Sequence, residues 1–277
     1  MSRIDRITSP ANPLLREIRR AVARGDTVRI DATNEGLWIA EGFHLLEEAL
    51  RSELVVPVIL AAESVRSTVE RHAGGLRGTR IQVLPDALFE TVAVTETTQG
   101  VMSLVRPPMW NMDHVFRGRS LLLVLDGMQD PGNAGSALRA AEAFGASGVI
   151  FVKGSVNPWN PKALRASAGS CFRVPFVAGL DPDIVRAALK QHRVDVYAAM
   201  PWNGSATMAG SVDFTRRVAI VIGSEGRGIS DTLHGIARDV AIPTSGVESL
   251  NAATAAAILL YESRRQRSAG VLPHGSV

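Results

Sequence analysis

The sequence has one cysteine, no long apolar run and no histidine cluster. Cys171 stands alone among 277 residues, which excludes an internal disulfide and a thiolate-rich metal site and favours a reducing cytoplasm. The six histidines are scattered without metal-ligand spacing, so we expect no metal. No run approaches the roughly 20 apolar residues that cross a bilayer, and no apolar segment of a secretory signal follows the charged N-terminus. We therefore expect a cytoplasmic protein without a membrane partner.

Lysine is also scarce, since only three lysines accompany 27 arginines. Residues 1–30 carry seven Arg and three acidic residues, a local charge of +4, although the whole chain has a net charge of only +3. The planar guanidinium suits phosphate because it donates two hydrogen bonds at once. Arginine-favouring codons of a GC-rich genome explain the total equally well, so the N-terminal cluster is the better, if modest, indication of a polyanionic partner. Arg16, Arg19 and Arg20 of the first predicted helix are its proposed RNA-binding residues.

Strands and helices alternate in the first half of the chain. The Pro residues at 10 and 13 open a helix whose apolar stripe is Leu14, Leu15, Ile18 and Val22. A short strand is then expected near 36–40, a helix over 43–50, a strand near 55–61 and a helix over 64–72, and these are followed by the segments 80–84, 86–91 and 100–105. This alternation predicts a small α/β layer structure. A Pro pair at 107–108 breaks the pattern, so we expect an N-terminal domain over 1–106, a linker over 107–117 and a second domain over 118–277. Two domains also fit the length, at about 150 residues each.

The second half alternates in the same way and predicts a parallel sheet. Residues 121–126 form a continuous apolar run, which is typical of a strand buried on both faces. Further strands are expected at 149–152, 194–199, 218–223 and 240–242, and helices over 184–192 and about 249–266. Asn133 is expected to be the N-cap of a helix that stops at Gly145. Asp181 and Pro182 open the next helix.

Three polar and Gly-rich blocks each follow the end of a predicted strand in this second half. They are DGMQDPGNAGSALR at 126–139, IGSEGRG at 222–228 and IPTSGVESLN at 242–251. Because the carboxyl ends of parallel strands share one edge of the sheet, we expect the three blocks to assemble one site there.

The two common nucleotide-binding motifs do not fit these blocks. A phosphate-binding Walker loop ends in Gly-Lys-Ser/Thr, which the chain lacks. A dinucleotide fingerprint lies between the first strand and its helix, with an acidic residue about 20 positions further on. Here GSEGRG at 223–228 comes late in the domain and fits that spacing poorly. An enzyme with a nicotinamide cofactor is therefore the least favoured alternative.

The blocks resemble the three motifs of the SpoU (TrmH) family of RNA ribose 2′-O-methyltransferases, in the SPOUT superfamily. The matching residues are DPGN at 130–133 with Arg139, GxExxG at 223–228, and IP at 242–243 with SLN at 249–251. NP at 157–158 and RASAGS at 165–170 also resemble a stretch common to the family. The resemblance covers about residues 118–265. More loosely, residues 5–106 are similar to the SpoU substrate-binding domain, through ITSPANP at 7–13, EG at 41–42 and TQGV at 98–101.

This resemblance implies a fold and a cofactor beyond what the residue pattern shows. It implies a deep trefoil knot in the C-terminal parallel-sheet domain, and a smaller N-terminal α/β domain similar to a ribosomal-protein fold. It further implies binding of S-adenosylmethionine (SAM) in the knot, with Gly223, Ile242 and Leu250 lining the pocket. Dimerisation through the knotted domain is implied as well, and Arg165 is expected to contact RNA.

The polar residues of the motifs suit methyl transfer to a ribose. A 2′-hydroxyl is a weak acid. Methyl transfer to its oxygen therefore needs removal of the proton and in-line placement of that oxygen against the methyl group. The resemblance places Arg139 nearest that hydroxyl as a base, but a guanidinium normally stays protonated. We instead expect Arg139 to hold the adjacent phosphate and stabilise the developing alkoxide. Glu225 would orient a partner Arg, and Asn133, Ser249 and Asn251 would supply hydrogen bonds without charge.

Simpler interpretations stay open for these residues. Asn133 and Ser249 could be helix caps, and Glu225 could be a solvated loop carboxylate. The sequence therefore predicts a SAM-dependent RNA 2′-O-ribose methyltransferase, with 23S rRNA as the first choice of substrate and tRNA as the second. A non-catalytic RNA-binding or ribosome assembly factor is the alternative from another class.

Overall fold

In a computed structural model of the chain, residues 3–30, 36–202 and 204–268 are described. They form two compact units. The first unit contains the described residues up to Met109 together with Asn157–Arg173, and the second contains Trp110–Val156 and the described residues from Val174 onward. The chain therefore passes between the units three times. Its first passage lies inside the predicted linker, but the inclusion of 157–173 in the first unit has no counterpart in the sequence pattern. The predicted division into independent domains stays a prediction.

The first unit is built on a five-stranded mixed sheet. The strand order is β1-β4-β3-β5-β2, with β1, β4 and β3 parallel and β5 antiparallel to both β3 and β2. The strands are β1 (Arg3–Arg6), β2 (Trp38–Glu41), β3 (Val58–Ala62), β4 (Arg80–Leu84) and β5 (Val101–Val105). The helices of this unit are α1 (Pro13–Arg24), α2 (Phe43–Arg51), α3 (Arg66–Ala73), α4 (Asp86–Glu90) and α7 (Pro161–Ala166).

Helix α1 begins and ends where its sequence signals predict. The Asn12 side chain accepts a hydrogen bond from the backbone N–H of Leu14, and Pro13 occupies the first turn. The helix ends at Gly25, whose φ of 62° is in the left-handed region that favours glycine. Leu15 and Ile18 of the predicted stripe are fully buried in the core of this unit.

The second unit is built on a seven-stranded, all-parallel sheet in the order β10-β12-β9-β11-β6-β7-β8. The strands are β6 (Leu121–Asp126), β7 (Gly148–Val152), β8 (Phe176–Leu180), β9 (Asp195–Ala199), β10 (Thr207–Met208), β11 (Val218–Gly223) and β12 (Arg238–Ala241). The helices are α5 (Met112–Val115), α6 (Pro131–Ala143), α8 (Pro182–Gln191), α9 (Asp231–His234) and α10 (Ala252–Ser268). The predicted parallel sheet is confirmed. The trefoil knot stays a prediction, because strand order does not define how the chain is threaded.

The strand order places a crevice between β6 and β11. From β6 the chain builds β7 and β8 on one side, and then β9, β11 and β12 on the other. In parallel sheets, ligands bind beyond the carboxyl ends of the strands where the order reverses in this way. The strand topology therefore points to the carboxyl ends of β6 and β11.

The start of α6 corrects one prediction from the sequence. Asn133 is not the N-cap; Asp130 is, and its carboxylate accepts a hydrogen bond of 2.7 Å from the backbone N–H of Asn133. Pro131 then occupies the first helical position, which it favours because it has no N–H to satisfy. Asn133 lies in the first turn, and its side chain is available to other parts of the chain.

Candidate functional site

The first two sequence blocks meet at the carboxyl ends of two neighbouring strands. Asp126 is the last residue of β6, Gly223 is the last residue of β11, and the two are partners in the sheet register. Asp126 is 5% exposed, and one of its carboxylate oxygens accepts hydrogen bonds from both the backbone N–H and the hydroxyl of Ser230, each 2.7 Å long. This carboxylate therefore fixes the chain just after the second block. No role was predicted for Asp126 from the sequence. A carboxylate at the end of a fully apolar strand nevertheless indicates a buried, hydrogen-bonded group.

The second block forms a tight turn that only glycine permits at its first position. Ser224 and Gly228 exchange two backbone hydrogen bonds of 3.1 and 3.0 Å, which close the turn. A Cβ atom on Gly223 would lie 2.4 Å from the carbonyl carbon of Gly228 and 2.7 Å from the nitrogen of Ile229. Both contacts are with backbone, so no side-chain rotation relieves them. The close approach therefore constrains the backbone of the turn that carries Glu225.

Hydrogen bonds between side chains join all three blocks. The amide nitrogen of Asn133 donates to Glu225 Oε1 over 2.7 Å, and the amide nitrogen of Asn251 donates to Asn133 Oδ1 over 2.9 Å. Glu225 is exposed and Asn133 is half-buried. The predicted assembly of these three residues at one place is therefore observed, although their roles in a reaction stay predictions. The simpler interpretations, with Asn133 as a helix cap and Glu225 as a solvated loop carboxylate, do not account for these bonds.

Asn251 also starts the last helix. Its Oδ1 accepts hydrogen bonds from the backbone N–H groups of Ala253 and Thr254, over 3.0 and 3.2 Å. Asn251, and not Ser249, thus caps α10. The amide oxygen of Asn251 thus caps α10, and its amide nitrogen holds the side chain of Asn133.

A cavity of about 270 Å³ opens beside these residues, within the second unit. The predicted cofactor-binding residues Gly223, Ile242 and Leu250 all line it, as do Glu225 and Ser249. Met200, Pro201 and Trp202 after β9 form another part of its wall and were not expected from the sequence. Two carboxylates, from Glu225 and Glu248, and no Lys, Arg or His lie among the lining residues that the structure describes. The cavity therefore favours a ligand with apolar surface and positive charge.

Comparison with known proteins identifies the family. Residues 120–261 match the SpoU rRNA Methylase family, and residues 31–103 match the MRM3-like substrate binding domain. A relative from Bacillus subtilis, named 23S rRNA (guanosine(2553)-2'-O)-methyltransferase RlmP, is 33% identical over 236 residues, covering 84% of this chain and 91% of the relative. The chain belongs to the SpoU rRNA methylase family. The predicted family, enzyme class and substrate-binding domain are thus confirmed.

Solved structures agree with this assignment to the SpoU family. One, described as an RNA 2'-O ribose methyltransferase, is 28% identical with a TM-score of 0.76, covering 95% of this chain and 99% of that one. Another is the SpoU methyltransferase AviRb from Streptomyces viridochromogenes in complex with AdoMet, which is 26% identical with a TM-score of 0.78, covering 92% and 99%. The predicted SPOUT-type fold is confirmed.

Arg139 does not belong to the cavity wall of this SpoU protein. It lies on α6, six residues after Asn133, where its side chain is exposed and makes no hydrogen bond or ion pair with a described residue. Its guanidinium is thus available to a ligand outside the protein. Within the described ranges, no three His, Cys, Asp or Glu side chains come together to hold a metal ion, and no helix is long and apolar enough to cross a membrane.

The other predicted RNA-binding residues lie in the first unit. Arg16 is exposed on α1, and Arg165 is exposed on α7. Arg19 donates instead to the carbonyls of Thr91 and Pro10, and Arg20 pairs with Glu17. Arg16 and Arg165 are therefore the two predicted positions whose guanidiniums are available.

Proposed function

We propose that this SpoU protein transfers a methyl group from SAM to the 2′-hydroxyl of a nucleotide in 23S rRNA. The observation that carries the proposal is the hydrogen-bonded series Asn251–Asn133–Glu225 at the edge of the cavity. The Bacillus subtilis relative is named for a guanosine of 23S rRNA, and a Streptomyces viridochromogenes relative for a uridine of it. Relatives that act on different bases leave the target nucleotide of this chain open and support the ribose as the reacting group.

The cavity suits SAM by its charge and its wall. SAM has positive sulfonium and ammonium groups and one carboxylate, so its net charge is positive, and the cavity presents Glu225 and Glu248 without a lining cation. Ile242 and Leu250 offer apolar surface to the adenine, and the backbone of the turn at Gly223 can hydrogen-bond its polar edges. When bound, SAM supplies a methyl group that its sulfonium already activates, so no metal is required.

The protein's part in the reaction is to place and stabilise the ribose. Arg139 holds the phosphate beside the target ribose and stabilises negative charge on the 2′-oxygen as its proton leaves to water or phosphate. Asn133 and Asn251 keep Glu225 at the cavity edge, where its carboxylate can orient a partner Arg. Ser249, exposed at the same edge, offers a hydroxyl to the ribose.

The active form is proposed to be a homodimer formed through the second unit. Helix α10 exposes Ile258 and Tyr261, which are 37% and 53% exposed, and Tyr261 contacts Phe144 at the end of α6. Apolar groups on two adjacent helices form a surface that a second copy could cover. Sedimentation of the intact protein tests this, and a monomer at assay concentrations would contradict it.

The decisive test is labelled methyl transfer from SAM to unmodified rRNA and, separately, to tRNA. The wild type should label rRNA at one position whose linkage resists nucleases and alkali. Arg139→Ala should abolish transfer and leave SAM affinity within a few-fold. Arg186→Ala, which removes a half-buried Arg of α8 that pairs with Asp183, should behave as wild type. Wild-type turnover by Arg139→Ala refutes the role of that residue. If the wild type labels tRNA alone, rRNA is refuted as the substrate. If the wild type binds no SAM at all, the alternative of a non-catalytic RNA-binding or ribosome assembly factor is favoured.

A further inference from the structure

A second cavity lies wholly within the first unit. Its volume is about 340 Å³, and it lies between the first turn of α1 and the amino ends of β3 and β4. That is within the size range of sites that take small organic groups. The residues that line it include Ile7, Arg29, Ile30, Val58, Arg80 and Gln82.

The sheet register gives this cavity an apolar wall and a polar wall. Val58 of β3 is the register partner of Arg80 on β4, and Arg80 and Gln82 are two residues apart, so all three side chains share one face of the sheet. Val58 is 1% exposed and belongs to the core of the unit, together with Ile7. The cavity therefore borders the core of the unit. Its apolar wall includes the core residues Ile7 and Val58, and its polar wall includes the guanidinium of Arg80 and the amide of Gln82.

Two arginines of the cavity, Arg29 and Arg80, have guanidiniums with no hydrogen-bond partner in the described parts of the chain, although, beside the hydrogen bond from Arg20, the charge of Arg29 helps to lower the pKa of Glu17. Arg29 and Arg80 are exposed, and neither side chain makes a hydrogen bond or ion pair within the described parts of the chain. The acidic groups nearby are already bound. Glu17 accepts two hydrogen bonds from Arg20 and one from the backbone N–H of Arg29, and Asp5 pairs with Arg3. Hydrogen bonding from Arg20 lowers the pKa of Glu17, which therefore stays a carboxylate at neutral pH.

We propose that this cavity binds one unpaired nucleotide of the RNA substrate, away from the nucleotide that is methylated. Its base lies against the apolar wall formed by Ile7, Val58 and Ile30. The Gln82 amide nitrogen also donates to Asp5 Oδ2 over 3.4 Å, so the amide meets the polar edge of the base with its oxygen and its second N–H. Arg29 and Arg80 hold the flanking phosphates. Unpaired nucleotides fit and base-paired ones do not, because only a base outside a helix offers both its face and its edge. The proposal rests on RNA being the substrate.

Salt dependence of RNA binding tests the phosphate contacts. The probe is a fluorescent single-stranded oligoribonucleotide of about 12 nucleotides, a length within the range of single-strand site sizes, and the comparison probe is an RNA duplex of the same length. Arg29→Gln and Arg80→Gln in the full chain should each weaken single-strand binding and reduce the slope of log K against log salt by about 0.7. Arg77→Gln, an exposed arginine of the same unit outside the cavity, should leave that slope unchanged.

A cavity-filling variant tests the base contact without changing charge. Gln82→Phe should place a ring in the cavity and reduce single-strand affinity about tenfold, while duplex affinity, SAM affinity and the melting temperature stay as in wild type. Equal losses on single strand and duplex, or equal effects of Arg77→Gln and Arg80→Gln, would overturn the proposal in favour of a diffuse basic surface. If Gln82→Phe lowers the melting temperature, the salt dependence of single-strand binding by Arg29→Gln and Arg80→Gln decides whether the proposal stands.

The two proposals can fail separately. If the wild type binds the oligonucleotide through this cavity but transfers no methyl group, the proposed function fails and the cavity assignment stands. If the cavity variants bind and methylate rRNA as the wild type does, the cavity assignment fails and the proposed function stands.

Discussion

Replacing Gly223 with alanine tests whether the tight turn of the second block holds the site together. The added Cβ would lie 2.4 Å from the carbonyl carbon of Gly228, whereas ordinary contact begins at 3.4 Å. The turn at residues 224–228 must therefore move by about 1 Å. Forced overpacking of this kind costs about 1–3 kcal/mol. In a unit of this size, each kcal/mol lowers the melting temperature by about 2–4 °C.

The same displacement should reach the proposed SAM site. Glu225 lies in the turn, and its bond of 2.7 Å to Asn133 cannot survive a shift of about 1 Å without rearrangement. We therefore expect Gly223→Ala to weaken SAM binding at least tenfold, as measured by titration calorimetry, and to reduce methyl transfer at saturating RNA.

Gly226 provides the matched control in the same turn. A Cβ on Gly226 has no atom within 4 Å, and its φ is outside the left-handed region. Gly226→Ala should thus melt and bind SAM as the wild type does. If Gly223→Ala is indistinguishable from Gly226→Ala in both measurements, the close approach of the backbone has no functional consequence and the reasoning is wrong.

Three further variants probe contacts within the second unit. Asn133→Ala removes both side-chain bonds, one of them to the Glu225 carboxylate, and should lower kcat/KM for labelled methyl transfer roughly tenfold to a hundredfold, since such bonds contribute about 1.5–3 kcal/mol; an unchanged kcat/KM would contradict this. Asp126→Ala removes the acceptor of both Ser230 hydrogen bonds and should lower the free energy of unfolding by about 1–3 kcal/mol in a denaturant titration; no change would show that the carboxylate is dispensable. Arg267→Lys should destabilise by a similar amount, because the guanidinium donates to four backbone carbonyls that an ammonium cannot all reach; equal unfolding curves would refute it.

Many strands and helices of the second unit could be predicted, because their bounds depend mainly on residues that are neighbours in the sequence. The observed bounds of β6 and β11 are those predicted, since continuous apolar runs ended by a polar residue or glycine define buried strands. Strand β8 was missed because its residues are mostly half-buried and Gly179 interrupts it with a φ of 76°. For α6, the prediction of Asn133 as the N-cap was wrong, because Pro131 favours the first helical position and so places the cap at Asp130.

The site could be anticipated as a location but not as a set of contacts. Strand ends of a parallel sheet must share an edge, so the three blocks were expected to meet. The bonds that join them link residues 92 and 118 positions apart, and no local pattern shows that Asn133 turns towards Glu225. The cavity in the first unit was also unforeseen, because it depends on the register between β3 and β4.

Segment 157–173 limits how this chain can be cut into working pieces. Leu164 and Phe172 are buried in the first unit, where Phe172 stacks on Trp38 and Arg173 donates to Glu48 over 2.6 Å. A truncated chain that starts at residue 110 keeps this segment but loses Trp38 and Glu48. Such a chain would expose the apolar side chains of the segment that connects β7 to β8 in sequence, and it would tend to aggregate. A stand-alone methyltransferase made from this chain therefore needs a shorter or more polar connection at that point, and grafting the first unit onto another enzyme requires transferring two separate stretches of sequence.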